Sequence, residues 1–339
     1  SLSVLGVRAM GVALTSEIYR QDPALYGESA LQAGELVRLA DCLDKRMRAF
    51  PSPLLVNSTA ADATFGWLKG RADRLIAVPL VRHEHTLGCL FALDKTSGDF
   101  DSVDSKLLTS IANESAIYLE NARLFADAHD LMMGILHSLT SAVDAKDAYT
   151  CGHSDRVALL SRHLARQIGM PEAQVERVYM AGLLHDVGKI GVPESVLQKT
   201  GRLTPEEFEQ MKKHPQIGAR IIADVKQIED IIPGVLHHHE RYDGLGYPHG
   251  LAGQDIPLMG RIICLADCLD AMTSNRTYRR ALPLEVALNE IRRCAGTQFD
   301  PQLAEAFLSI SPDQFRSVLR EQPRPEGRLA DLRGLVRVA

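Results

Sequence analysis

The stretch Tyr179-Met180-Ala181-Gly182-Leu183-Leu184-His185-Asp186-Val187-Gly188-Lys189 decides how this chain is read. An apolar helical run ends in an ionisable pair. Burying a histidine and an aspartate there is costly unless something compensates them. A divalent metal does so, because neutral imidazole and carboxylate are its natural ligands. Asp267 makes the same point inside Arg261-Ile262-Ile263-Cys264-Leu265-Ala266-Asp267-Cys268-Leu269-Asp270-Ala271-Met272, an otherwise apolar helical pattern. For either residue alone, a buried aspartate paired with arginine or capping backbone is an equal reading. His153, His214, His238 and His239 shift the balance, because together these residues offer enough nitrogen and oxygen ligands for two metals. Of the twelve histidines, eight fall between His153 and His249, three of them consecutive. The chemistry therefore belongs to the second half of the chain.

The whole chain has 339 residues, 45% apolar and 24% charged, with a net charge of −5. This is globular composition with room for about two domains, and it excludes collagenous, mucin-like and wholly disordered chains. No window approaches the roughly 18 to 20 apolar residues of a membrane span. The slightly acidic balance argues against a nucleic acid polymer as partner. Six scattered cysteines without a CxxC pattern read as reduced, cytoplasmic thiols. The chain begins Ser-Leu-Ser, with neither Met nor signal peptide, which reads as a fragment and leaves a membrane anchor upstream open.

Towards the N-terminus, Leu75–Val81 and Leu87–Leu93 are short apolar runs joined by polar residues 82–86, a hairpin signal. His83 and His85 flank its turn and are expected at the surface; Cys89 is expected in the core. From Ser102 to Met133 there is neither Gly nor Pro. Leu108, Ile111, Ser115, Tyr118, Ala122, Phe125, His129, Met132, Leu136, Leu139 and Val143 follow in alternating steps of three and four. That predicts a long helix with a coiled-coil-like seam of about five heptads. Either it packs on its own domain, or it joins two domains and pairs with its copy, with Phe125, Met132, Leu136 and Leu139 as the apolar core. After Asp147 the pattern predicts helices over 154–167, 172–184, 205–212, 216–225, 259–272, 284–293 and 301–309. Residues 311–339 read as a loosely attached tail.

The residues His185-Asp186-Val187-Gly188-Lys189, then His237-His238-His239-Glu240-Arg241-Tyr242-Asp243-Gly244-Leu245-Gly246-Tyr247-Pro248, then Ala266 to Arg279, closely resemble the HD-GYP domain. This is a branch of the HD phosphohydrolases whose members degrade the bacterial second messenger cyclic di-GMP. The preceding segment more weakly resembles a GAF domain, a small α/β sensory module that commonly dimerises. The implied architecture is α+β overall: a GAF-like α/β sensor over 1–125, a connecting helix over 106–148, an all-α HD-GYP domain over 130–310 and the tail. What such a sensor binds is not legible.

Carried over residue by residue, the resemblance implies one metal held by His153, His185, Asp186 and Asp267. A second would be held by His214, His238 and His239, with Asp186 bridging. Two such cations roughly 3.5–4 Å apart activate a hydroxide and take up phosphate charge. Lys189 would reach the phosphate or protonate the leaving group. Tyr247, held by Pro248, would stack or hydrogen-bond at the substrate, with Gly244 and Gly246 easing the turns around it. Arg276 and Arg279, at i and i+3, would clamp the two phosphates, whereas Arg280 reads as a solvated charge. His163, His237 and His249 are expected to be structural. Some members carry a glutamate for a third metal four residues before the first ligand histidine. Tyr149 stands there, so two ions are expected. Iron or manganese is favoured on family grounds, with nickel and zinc open. The implied activity opens cyclic di-GMP to linear pGpG, with GMP as a further end point. The alternatives are an HD phosphohydrolase for another nucleotide and a binding or scaffolding module. A homodimer is expected, and a diguanylate cyclase or another signalling protein is an open partner.

Overall fold

The computed structural model describes residues 2–16, 19–83, 85–146, 152–274, 280–311, 314–315 and 317. Tyr149, Arg276, Arg279 and nearly all of the C-terminal tail lie outside these residues. The chain divides into two compact units, one within Ser1–Asp130 and one within Leu131–Glu326.

In the first unit the order is α1 (Leu2–Leu5), β1 (Val7–Leu14), β2 (Ala24–Gly27), α2 (Ala33–Ala49), β3 (Leu54–Val56), β4 (Leu75–Arg82), β5 (His85–Lys95) and the start of α3 (Ser102–Lys146). The five strands form one antiparallel sheet in the order β2-β1-β5-β4-β3. The β4–β5 hairpin joins the two apolar runs, with His83 and His85 exposed. Successive side chains of a strand point to opposite faces. Ile76, Val78 and Leu80 therefore bury one face against Leu108, Ala112 and Ala116 of α3. Leu75 and Ala77 bury the other against Leu39, Leu43 and Met47 of α2. Coverage on both faces explains why the central strands read as continuous apolar runs rather than alternating ones. Cys89 is fully buried there, and burial followed by the charge of Asp44 pushes its thiol up to about 12.

The second unit takes up the end of α3 and continues with α4 (His153–Gln167), α5 (Glu172–Leu184), α6 (Glu194–Leu197), α7 (Pro205–Met211), α8 (His214–Ala223), α9 (Ile232–His237), α10 (Leu258–Thr273), α11 (Leu284–Cys294) and α12 (Pro301–Leu308). All seven expected helices are present, with ends shifted by up to two residues. Pro205 and Pro301 open their helices, where a missing N–H costs nothing. The short α6 and α9 have too few turns to show a hydrophobic period. No helix among the described residues is long and apolar enough to cross a membrane. Among the described residues, Cys42, Cys89, Cys264, Cys268 and Cys294 form no disulfide.

The expected helical seam needs correction. Leu136 and Val143 are buried in the helical unit's own core, with Met132 and Leu139 packed against it. Leu108 belongs to the sheet core. Phe125, by contrast, is 78% exposed. An apolar 3–4 repeat announces a buried stripe but does not say whether its partner lies in the same chain. The stripe left open consists of Ile117, Leu124 and Leu131, one heptad apart, with Ile135 beside them.

Candidate metal centre

Helix ends assemble the centre. His153 opens α4, after Gly152 in a left-handed conformation. His185 caps the end of α5, and Asp186 precedes the 3-10 turn Val187–Gly191 that carries Lys189. His214 opens α8, His238 and His239 follow the last residue of α9, and Asp267 projects from within α10. Two glycines permit the close approach. A Cβ on Gly188 would stand 1.9 Å from the His214 carbonyl oxygen. One on Gly246 would stand 2.4 Å from the Arg241 backbone nitrogen.

All seven expected ligand residues come together in two groups whose donor atoms lie within 4.8 Å of one another. One is Asp186, His214, His238 and His239; the other is His153, His185 and Asp267. Asp186 faces both. Its Oδ1 is 3.3 Å from His214 Nε2, while its Oδ2 is 3.4 Å from His185 Nε2 and 3.6 Å from His153 Nε2. Lys189 Nζ lies 2.7 Å from the same Oδ2.

The imidazoles are oriented from behind. Nδ1 of His185, His214 and His238 lies 2.7, 2.8 and 2.7 Å from the carbonyl oxygens of Gly182, Met211 and Val235. A carbonyl only accepts, so each Nδ1 carries a proton and each Nε2 points inward, as a lone pair where the ring is neutral. His185 Nε2 is buried without a hydrogen-bond partner. His214 Nε2 and His238 Nε2 face each other at 3.3 Å. Lone pairs converging with two carboxylates form an acceptor-rich cavity, which a cation satisfies and water alone serves poorly. The donor set therefore fits divalent metal.

Electrostatics agrees for His214, His238 and His239. Burial pushes His238 well below its ordinary value, and its histidine neighbours add to this. Burial likewise takes His239 down to about 3 and lowers His214. These rings are neutral and ready to ligate. Burial alone would raise Asp186 and Asp267. For Asp186, Lys189 and His185 outweigh it and hold the carboxyl well below the usual range. For Asp267, His153 does the same. Burial would lower His153, but hydrogen bonds to Asp267 and Asp270 raise it to about 9.

Asp270 is a residue that sequence reasoning missed. Only 1% exposed, it lies 2.7 Å from His153 Nδ1 and accepts from Arg156 Nε at 2.6 Å. Its position three residues after Asp267, on the same face of α10, was the available signal. Tyr247 stacks against His239, with ring centroids 4.8 Å apart. Burial, then the charges of Asp186 and Asp267, push its phenol up, so it remains a hydrogen-bond donor. With His239, Phe208, Lys212, Arg241 and Gln298, it lines a cavity of about 300 Å³ beside the centre. His237 and His249 stand apart, grouped with Glu240.

Residues 137–303 match the HD domain family. The chain is 42% identical over 193 residues to the cyclic di-GMP phosphodiesterase of Thermotoga maritima, covering 56% of this chain and 52% of that one. It is 43% identical over 175 residues to a cyclic di-GMP phosphodiesterase of Pseudomonas aeruginosa, covering 51% and 42%. It is 35% identical over 214 residues to a 3′3′-cGAMP-specific phosphodiesterase of Vibrio cholerae, covering 62% and 41%. The chain thus spans about half the length, or less, of these curated relatives.

Proposed function

We propose that this chain is a metal-dependent phosphodiesterase that hydrolyses cyclic di-GMP to linear pGpG, with GMP as a further end point. The observation that carries this reading is the inward set of imidazole lone pairs around Asp186 and Asp267, beside a cavity lined by Lys212, Arg241 and Tyr247. The two cyclic di-GMP phosphodiesterases named above are more similar to it than the cGAMP-specific relative, which supports cyclic di-GMP as substrate.

His153, His185, Asp186 and Asp267 would hold one divalent ion and His214, His238 and His239 the other, with Asp186 between them. When bound, two such ions supply activation of water and neutralisation of phosphate charge. Iron or manganese suits a site that offers four protein ligands per ion and leaves room for a further one from water, more than zinc usually takes. Lys189, held at Asp186 by its ammonium, binds a phosphate oxygen or donates a proton to the departing ribose 3′-oxygen. The Tyr247 phenol, kept protonated, donates a hydrogen bond to the nucleotide and covers His239. Arg276 and Arg279 clamp the two phosphates.

The N-terminal unit acts as a GAF-like sensor, and α3 carries its state to the catalytic unit in a homodimer. The open stripe of Ile117, Leu124 and Leu131 supports that pairing. The decisive experiment is anaerobic metal analysis of the purified chain, paired with turnover assays on cyclic di-GMP, 3′3′-cGAMP, pGpG and a cyclic mononucleotide. Stoichiometric metal with preferred cleavage of cyclic di-GMP is expected. Metal with turnover of the mononucleotide alone, or tight cyclic di-GMP binding without turnover, would overturn the reading.

A further inference from the structure

A second cluster of ligating side chains lies outside the seven residues above. His237 ends α9, Glu240 begins the loop that follows, and His249 closes that loop after Pro248. Each offers one donor atom, and the three atoms lie within 4.8 Å of one another. The two histidine rings are 5.2 Å apart.

Two features separate this cluster from an accidental grouping. His237 Nδ1 is buried and has no hydrogen-bond partner, although Glu240 Oε1 stands only 3.7 Å away. Glu240 is 2% exposed, so its charge is buried. Its Oε1 accepts the His249 backbone N–H at 2.8 Å, and its Oε2 accepts that of Leu251 at 3.1 Å. A carboxylate has about four lone-pair sites, so both bonds survive if one oxygen also binds an ion. The set therefore combines an orphaned nitrogen, a buried anion with spare lone pairs, and an exposed histidine free to adjust.

We propose that His237, Glu240 and His249 form a further divalent-metal site, separate from the centre around Asp186, which ties the 240–251 loop to the end of α9. Two imidazoles and one carboxylate select a borderline ion such as Zn²⁺, with solvent in the fourth position next to exposed His249. Calcium and magnesium, which prefer oxygen ligands, are disfavoured. Bonds of about 2.0–2.1 Å in tetrahedral geometry place donors roughly 3.4 Å apart, so the widest pair closes by at most about 1.4 Å, and the exposed His249 ring can supply the movement. The loop it closes carries Tyr247, which lies against His239. An ion here stiffens the wall of the cavity without touching the seven-residue centre.

The test uses the full chain, stripped with chelator and titrated with Zn²⁺ alone against a chromophoric competitor, with bound metal counted by plasma mass spectrometry. His249→Ala, at an exposed position that leaves the core intact, is expected to bind one equivalent fewer than the parent. The same deficit should appear in an Asp267→Ala background, where the other centre is already impaired; failure of that centre therefore does not mask the result. Zn²⁺ should also slow amide exchange over 241–251 in the parent and not in His249→Ala. Equal metal content and affinity in parent and variant, in both backgrounds, would overturn the proposal.

Discussion

Asp270→Asn tests how far the centre depends on a residue that is not expected to touch metal. The carboxylate orients His153 through Nδ1 and pairs with Arg156. Asparagine preserves shape and one acceptor but removes the charge. Replacing a carboxylate behind a ligand histidine typically costs 10–100-fold in metal affinity, about 1.4–2.7 kcal/mol. Breaking a buried charge pair costs about 3–5 kcal/mol. Arg156 keeps 29% of its side chain exposed, so water softens the loss and about 3 kcal/mol is expected. For a domain of this size that lowers Tm by about 6–12 °C. The pH dependence has a definite sign. Burial would raise Asp270, but His153 and Arg156 hold it below the ordinary value. Its contribution is therefore complete above the unfolded-state value of about 3.9 and is lost as pH falls through the lower folded value. Calorimetry of chelated parent and variant should show the largest gap near neutrality, shrinking below about pH 4. Chelator competition measures the affinity loss separately. A variant with parental metal affinity and unchanged Tm would refute the role given to Asp270.

Asp186→Ala should release at least one metal and abolish hydrolysis, because its two oxygens face both histidine groups; metal analysis with near-parental content and turnover would contradict this. Gly188→Ala forces a Cβ against backbone of His214 and Gly218, and an overpacking cost of about 3 kcal/mol should appear as a lower Tm of the chelated protein. Leu131→Glu should convert a dimer to monomer by light scattering without lowering Tm, whereas Leu136→Glu should destabilise the helical core itself; a dimer that survives Leu131→Glu moves the interface elsewhere. Arg276→Ala and Arg279→Ala should each raise KM by about 10- to 150-fold, the equivalent of one charge-assisted contact of 1.5–3 kcal/mol, with metal content unchanged in the same preparations.

Local pattern determined much of this molecule. The His185-Asp186 pair and Asp267 stood out because ionisable groups interrupt apolar runs, and such interruptions are visible without coordinates. The β4–β5 hairpin and the longer helices followed from hydrophobic period and proline placement, which are properties of neighbouring residues. Other features required tertiary contacts. Asp270 differs from an ordinary helix aspartate only because α4 brings His153 and Arg156 to it. The orientation of His185, His214 and His238 depends on a carbonyl three residues back, which becomes available only once the helix end has formed. Glu240 meets His237 and His249 because the intervening loop folds back on itself. The apolar repeat of α3 predicted a buried stripe, but Leu136 and Val143 pack within their own chain while Ile117, Leu124 and Leu131 remain open. A one-dimensional repeat specifies which faces avoid water; only the three-dimensional packing decides which neighbour removes them from it.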